Sequence, residues 1–174
     1  MSTFICVGNA LQPFVRLLDG AMGIANHLPQ PVIVQYGAAS GWSSAQCEAI
    51  DYMEMTEFSS YVTSSRLLIM HAGAGSIIHA VEAGKVPVVV PRRAKYREHV
   101  DDHQVEFCRE LEQVSRVIVC NEISDLVNCV TQAQELQRDH DKGLKEPRLV
   151  QLVREIVSEH VRSIKRGSDS SSSK

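Results

Sequence analysis

The residues whose types and spacing suit chemistry are concentrated between His71 and Gln104, in the run HAGAGSIIHAVEAGKVPVVVPRRAKYREHVDDHQ. Its first part suits an anion. An apolar strand, Leu67 to Met70, runs into His71 and the turn Gly73-Ala74-Gly75, whose two glycines let the backbone bend sharply and come close to a ligand. Ser76 then opens a helix, whose unpaired N–H groups attract a phosphate; helix capping alone would also explain a serine there. His79 and Glu82 fall three apart on that helix, hence on one face, either toward a ligand or as a polar stripe in water. Arg92 and Arg93 follow Pro91 at the end of the next strand, and guanidinium groups fork onto phosphate or carboxylate oxygens. Glu98, His99, Asp101, Asp102, His103 and Gln104 complete the run. His99 and His103 have a zinc-ligand spacing, but no third ligand stands nearby. Asp102, His103 and Gln104 suit sugar hydroxyls, and Asp101 or Asp102 also suits an N-cap.

This is not a dinucleotide fingerprint. Ile78 stands where a third glycine is required, and no acidic residue follows about 20 positions on to take a ribose hydroxyl. NAD is thereby disfavoured, whereas NADP stays open because Arg92 and Arg93 could meet its extra phosphate.

The elements that must position these groups alternate. Thr3–Val7 reads as a strand followed by a Gly8-Asn9 loop. Pro13 stands at a helix start, with Phe14, Leu17, Leu18, Met22 and Ile24 along one face. Strands are expected at 32–35, 50–55, 67–70, 86–90 and 117–119, and helices at 56–64, 75–83, 102–112 and 123–136. Strands alternating with helices predict an α/β class: a single Rossmann-like domain with a mainly parallel sheet and right-handed crossovers. Residues 138–147 read as a charged link and 148–165 as an amphipathic C-terminal helix carrying Leu149, Leu152, Val153, Ile156, Val157, Val161 and Ile164. The domain is therefore placed at 1–165, with 166–174 a disordered serine-rich tail.

Composition bounds the function. The chain has 174 residues, 44% hydrophobic and 22% charged, with a formal charge of −3. That is one domain's worth of core. Scattered basic residues and 5% aromatics do not make a nucleic-acid surface. No apolar run is long enough to span a bilayer, and MSTFICVGN lacks a signal peptide's basic region. Cys6, Cys47, Cys108, Cys120 and Cys129 form no CxxC pair and are expected as thiols in a reducing cytosol.

The segments HAGAGSI, AGKVPVVVPRR and EHVDDHQ together resemble the donor-binding half of GT-B glycosyltransferases, of the family 28 C-terminal type. They are similar to the small split transferases: the catalytic subunit of the dolichol-pathway UDP-N-acetylglucosamine transferase and, more closely, bacterial exopolysaccharide subunits that transfer glucuronic acid or galactose. VGN, PFVRLLD, LPQPVIVQYG and EFSSYV match in order and spacing, so the resemblance covers roughly residues 3 to 112. Two positions depart from the family. Asn9 stands where threonine is common, and His79 stands where an acidic residue often holds the ribose, with Glu82 as a possible substitute.

The resemblance implies a C-terminal GT-B half that binds a UDP-sugar and transfers its hexose or hexuronic acid, with inversion, to a lipid-linked or polysaccharide acceptor. It implies Gly8, Asn9, His71, Gly73, Ala74, Gly75, Ser76, His79, Glu82, Arg92, Arg93, Asp102, His103 and Gln104 as donor contacts. The scheme calls for no metal and no cofactor. The missing half is expected on a membrane-anchored, acceptor-binding partner, which would hold this subunit peripherally at the cytoplasmic face and contribute the catalytic base, His99 or His71 being the candidates within this chain. Arg92 and Arg93 also suit a sugar carboxylate, which favours UDP-glucuronic acid. The alternatives are a non-catalytic Rossmann-like activator subunit and an NADP-binding module.

Overall fold

The computed structural model describes residues 2–113, 117–141 and 147–171. Six strands, β1 (Thr3–Cys6), β2 (Val32–Gln35), β3 (Glu48–Ile50), β4 (Leu67–His71), β5 (Val88–Val90) and β6 (Ile118–Val119), form one sheet in the order β3-β2-β1-β4-β5-β6. Every pairing is parallel, with Ile5 facing Val34 on one side and Ile69 on the other. The single α/β domain expected from the alternation is therefore the architecture found.

The strands alternate between two buried faces, as a sheet covered on both sides requires. Phe4, Leu68, Met70 and Val89 point to one face, where Phe58 and Val62 of α2 (Met55–Ser64), Ile77 and Val81 of α3 (Ala74–Glu82) and Phe107 and Leu111 of α4 (His103–Leu111) cover them. Val153 and Val157 of the C-terminal helix α6 (Pro147–Ser171) close that side. Ile5, Val34, Ile69 and Val88 point to the other face, covered by Leu17 and Leu18 of α1 (Val15–Gly23) and by Leu126 and Val130 of α5 (Leu126–Asp141). Removing the whole side chain of Phe4, which has no exposed surface, is expected to cost about 3–5 kcal/mol.

Several boundaries differ from the sequence reading, each for a physical reason. β3 lies at 48–50 and not at 50–55, because an edge strand with an exposed, exposed, half-buried pattern leaves no apolar run to detect. α1 begins at Val15, past Pro13. α5 continues through Asp141 into the expected charged link; there the buried Gln137 accepts from the Val86 amide and donates to the Gly84 carbonyl, tying a polar helix end to the sheet. The C-terminal helix runs on from the expected end at 165 to Ser171, into the segment expected as a disordered tail, whose last residues, 172–174, lie outside the described residues. The amphipathic helix packs on α3 and α4 of its own domain.

All five cysteines are free, with Cys6, Cys108 and Cys120 buried. Among the described residues no helix is long and apolar enough to cross a membrane, and no group of three or more His, Cys, Asp or Glu side chains is arranged to hold a metal ion.

Candidate functional site

Strand order reverses between β1 and β4: β2 and β3 lie to one side of β1, whereas β4 to β6 extend from the other. At such a switch point the loops leaving neighbouring strands diverge and open a crevice beyond their carboxyl ends. A cleft of ≈ 450 Å³ occupies this place, within the range of small-molecule sites. Gly8 and Asn9 after β1, Gln35 ending β2, His71 ending β4 and Ser76 in α3 form its polar wall; Met53, Met55 and Phe58 form an apolar wall, with Glu54 between.

The polar wall is rigidly built. Gln35, buried at the end of β2, accepts from the Gly8 amide at 2.9 Å and donates to the Gly8 carbonyl at 3.2 Å and to the Asp51 carbonyl at 2.9 Å. Gly8 has φ +77, a left-handed conformation that other residues reach only with strain. The His71 ring fills the space between the two loops. A Cβ on Gly8 would lie 2.4 Å from His71 Cε1, and one on Gly73 would lie 2.1 Å from His71 Nε2. Both glycines are thus required by the imidazole between them. Burial first, then the positive Arg92 nearby, push the His71 pKa down to about 4, so the ring is neutral near pH 7. Its Nδ1 is buried without a well-formed hydrogen bond, and the Cys6 backbone nearby acts against the downward shift.

α3 starts at this wall. Gly73 is its N-cap residue and Ala74 its first helical residue, which makes Ser76 the third residue of the helix and corrects its assignment as the opening residue. No side chain caps this helix end. The amides of Ala74, Gly75 and Ser76 precede any intrahelical acceptor, whereas Ile77 already bonds to the Gly73 carbonyl at 3.1 Å. Three donors and a helix dipole therefore point outward beside His71 and Gly8.

The Pro91–Gln104 loop is different. Arg92 has no exposed surface; Nη1 donates to the Gln12 carbonyl at 2.7 Å and to the Glu98 carbonyl at 2.8 Å, and Nη2 donates to the Val7 carbonyl at 2.7 Å. Its guanidinium lies over the Phe14 ring. Arg92 is therefore not available to a diphosphate, contrary to the expectation from its type. Arg93 donates to Glu122 and to the Asn121 carbonyl, and faces a separate pocket of ≈ 660 Å³ that includes Asp102 and Arg109. Glu98, 3% exposed, forks onto Arg16 at 2.8 Å through both oxygens and accepts from the Arg93 amide at 3.0 Å.

The expected sugar-binding side chains are partly occupied by the same loop. Gln104 Oε1 accepts from the Arg92 amide at 3.1 Å, and Asp102 Oδ1 accepts from the Ala94 amide at 2.9 Å. Asp101 takes the His99 Nδ1 at 2.8 Å and the His103 amide at 3.1 Å, securing the start of α4. His103 Nδ1 lies 3.3 Å from Glu106. Glu82, considered as a ribose contact, pairs with Arg154 of α6 at 2.7 Å, and His79 sets its ring edge against Phe58 at 6.0 Å. Neither lines the cleft.

Of the residues singled out in the sequence, the cleft gathers Gly8, Asn9, His71 and Ser76, with Gly73, Ala74 and Gly75 in the same turn. Sequence reasoning missed Gln35, Met53, Glu54, Met55 and Phe58. A polar residue closing the apolar strand VIVQ was the available signal for Gln35; the others belong to a segment read as strand and short helix.

Two solved structures share this architecture. The glycotransferase of kitacinnamycin matches with a TM-score of 0.53 at 12% identity, covering 92% of this chain and 39% of that one. MurG of Acinetobacter baumannii matches with a TM-score of 0.51 at 18% identity, covering 89% of this chain and 49% of that one. The chain thus spans less than half the length of either protein, and at these identities the likeness is one of fold. Comparison with curated proteins gives no match. The family model described as the glycosyltransferase family 28 C-terminal domain matches residues 12–146, which hold α1 to α5, five of the six strands and most of the cleft's lining residues: the chain belongs to the glycosyltransferase family 28 C-terminal domain family.

Proposed function

We propose that this chain is the donor-binding part of an inverting glycosyltransferase that takes a hexose or hexuronic acid from a UDP-sugar. The observation that carries this reading is the switch-point cleft at the uncapped start of α3, lined by Ser76 and the His71 imidazole together with Met53, Met55 and Phe58. The amides suit a diphosphate, and the apolar wall suits the flat face of a pyrimidine base. As the sugar leaves, negative charge grows on the terminal phosphate, and donors already aimed at that position stabilise it more than the ground state. Such a contact contributes about 2.7–4 kcal/mol when removed singly.

Asn9, which lines the cleft with Ser76, has an amide that can donate to a phosphate oxygen in place of the threonine common in this family. The hydroxyls of the sugar would meet the start of α4, where Gln104 Nε2 remains for them. The sequence-based tilt toward glucuronic acid rested on Arg92 and Arg93; with Arg92 committed to backbone carbonyls and Arg93 to the Asn121–Glu122 segment, the sugar is left as a hexose or hexuronic acid. A membrane-anchored, acceptor-binding partner remains part of this proposal, in keeping with the 39% and 49% of the matched transferases that the chain spans.

The engagement of Glu82 by Arg154, and of His79 by Phe58, favours one competing reading: a subunit that stabilises a transferase without holding its donor. Calorimetry separates the two. The donor reading expects saturable, one-to-one binding of UDP and of a UDP-sugar, with NADP failing to compete; absence of UDP binding would leave the activator reading.

A further inference from the structure

His71 differs from the other polar groups of the cleft in how tightly the chain seats it. Its ring is wedged between Gly8 and Gly73, at positions where a Cβ would come within 2.4 and 2.1 Å, so the chain has given up two side chains to seat it. Its Nδ1 is buried without a well-formed hydrogen bond, and the Cys6 backbone beside the ring favours a proton on it. It sits beside the uncapped start of α3, and it lines the cleft together with Ser76 and Asn9. A neutral imidazole there offers one donor and one acceptor, whereas an imidazolium offers two donors and a positive charge.

Building on the nucleotide-diphosphate reading of the cleft, we propose that donor binding carries a proton onto His71, so that the bound diphosphate is faced by an imidazolium as well as by the α3 amides. The proton comes from solvent as the nucleotide enters. When the bond between the anomeric carbon and the terminal phosphate oxygen breaks, its electron pair stays on that oxygen, and the His71 cation offsets the charge without transferring anything else. The groups around the ring explain why the proton waits for the ligand. Arg92 and His99, from the 91–104 loop, both disfavour a further positive charge on the ring. Glu98 offsets Arg92 but bonds to Arg16 and the Arg93 amide, and Asp101 is engaged by His99. From β1 the Cys6 thiol donates to Gln35, and its pKa is pushed up to about 12 by burial, so it supplies no anion. Glu54 is the remaining carboxylate among the residues lining the cleft. Until a diphosphate arrives, burial and Arg92 keep the ring neutral.

The test is calorimetry of UDP with the full 174-residue chain near pH 6, in two buffers of different protonation enthalpy. Comparison with His71→Gln cancels the nucleotide's own titration. Wild-type protein should take up more protons than the variant, and its UDP affinity should rise, relative to the variant, by up to about tenfold per pH unit on going from pH 7.5 to 6. His99→Gln should keep the uptake, which separates the two histidines. If His71→Gln fails to fold, side-chain nitrogen NMR of the wild type gives the same answer: the His71 signals should change from neutral imidazole to imidazolium on saturation with UDP. UDP binding with equal proton uptake in wild type and variant, or a His71 ring that stays neutral in the complex, overturns the proposal and leaves the nucleotide reading standing. Absence of UDP binding overturns the nucleotide reading itself.

Discussion

The turn from Gly73 to Ser76 and the loop from Pro91 to Gln104 both looked like anion sites by residue type, yet they are built in opposite ways. In the first, donors are left over: the Ala74, Gly75 and Ser76 amides precede any helical acceptor, no side chain caps the helix, and the His71 ring lines the cleft beside them. In the second, the terminal nitrogens of the most conspicuous donor are consumed, leaving only its buried Nε without a partner. Three carbonyls, from Val7, Gln12 and Glu98, share the Arg92 guanidinium, and Glu98 ties the loop to Arg16. Binding capacity follows the groups that border the cleft, and the more strongly charged segment is the scaffold.

This contrast predicts that Arg92 matters for folding first. Replacing it by Met should cost several kcal/mol in chemical denaturation, about 1–3 kcal/mol for each of the three carbonyls left without its donor. Arg92→Met protein of wild-type stability with reduced UDP affinity would reverse the assignment of roles.

His71 gives the next effect, through pH. Its folded pKa of about 4 lies below the ordinary histidine value of 6.5, so the unfolded chain binds the proton more readily. Stability from this residue is fully present above pH 6.5 and is lost as pH falls toward 4, by about 3 kcal/mol in all. Urea titrations at pH 7 and pH 4.5 should show that loss in wild type and a smaller one in His71→Gln. An equal loss in both would place the acid sensitivity elsewhere.

The two glycines of the α3 turn should separate cleanly. A Cβ on Gly75 meets nothing within 4 Å, and Gly75→Ala should stabilise the helix by about 0.5–1 kcal/mol, seen as a raised Tm. Gly73→Ala must instead displace His71, and UDP affinity should fall; unchanged affinity would remove the ring from the site. The smallest effect is expected at the exposed Glu82–Arg154 pair, where Glu82→Gln should change stability by about 1 kcal/mol or less and leave UDP binding intact. A marked loss of UDP affinity in Glu82→Gln would restore Glu82 as a nucleotide contact.

The same contrast explains what could be read in the sequence. Leu67 to Met70 and Val86 to Val90 carry alternation and apolar runs that local physics interprets well, so the parallel sheet and its crossovers were legible. β3 was displaced because its residues at the sheet edge, Glu48, Ala49 and Ile50, do not need to be apolar. The Gly73–Ser76 turn was legible because backbone donors at a helix start depend only on local chain geometry. The role of Arg92 was not, since it depends on carbonyls 80 and 85 positions away in the chain. Gln35 was hidden for the same reason: its partners at Gly8 and Asp51 meet it only in the folded sheet.

The central claim is tested most directly by a crystal structure of the chain with UDP. The diphosphate is expected within hydrogen-bonding distance of the Ala74, Gly75 and Ser76 amides, with His71 beside it and the base against Met53 and Phe58. UDP seated instead in the pocket formed by Arg93, Arg109 and Asn121, with the switch-point cleft empty, would contradict it.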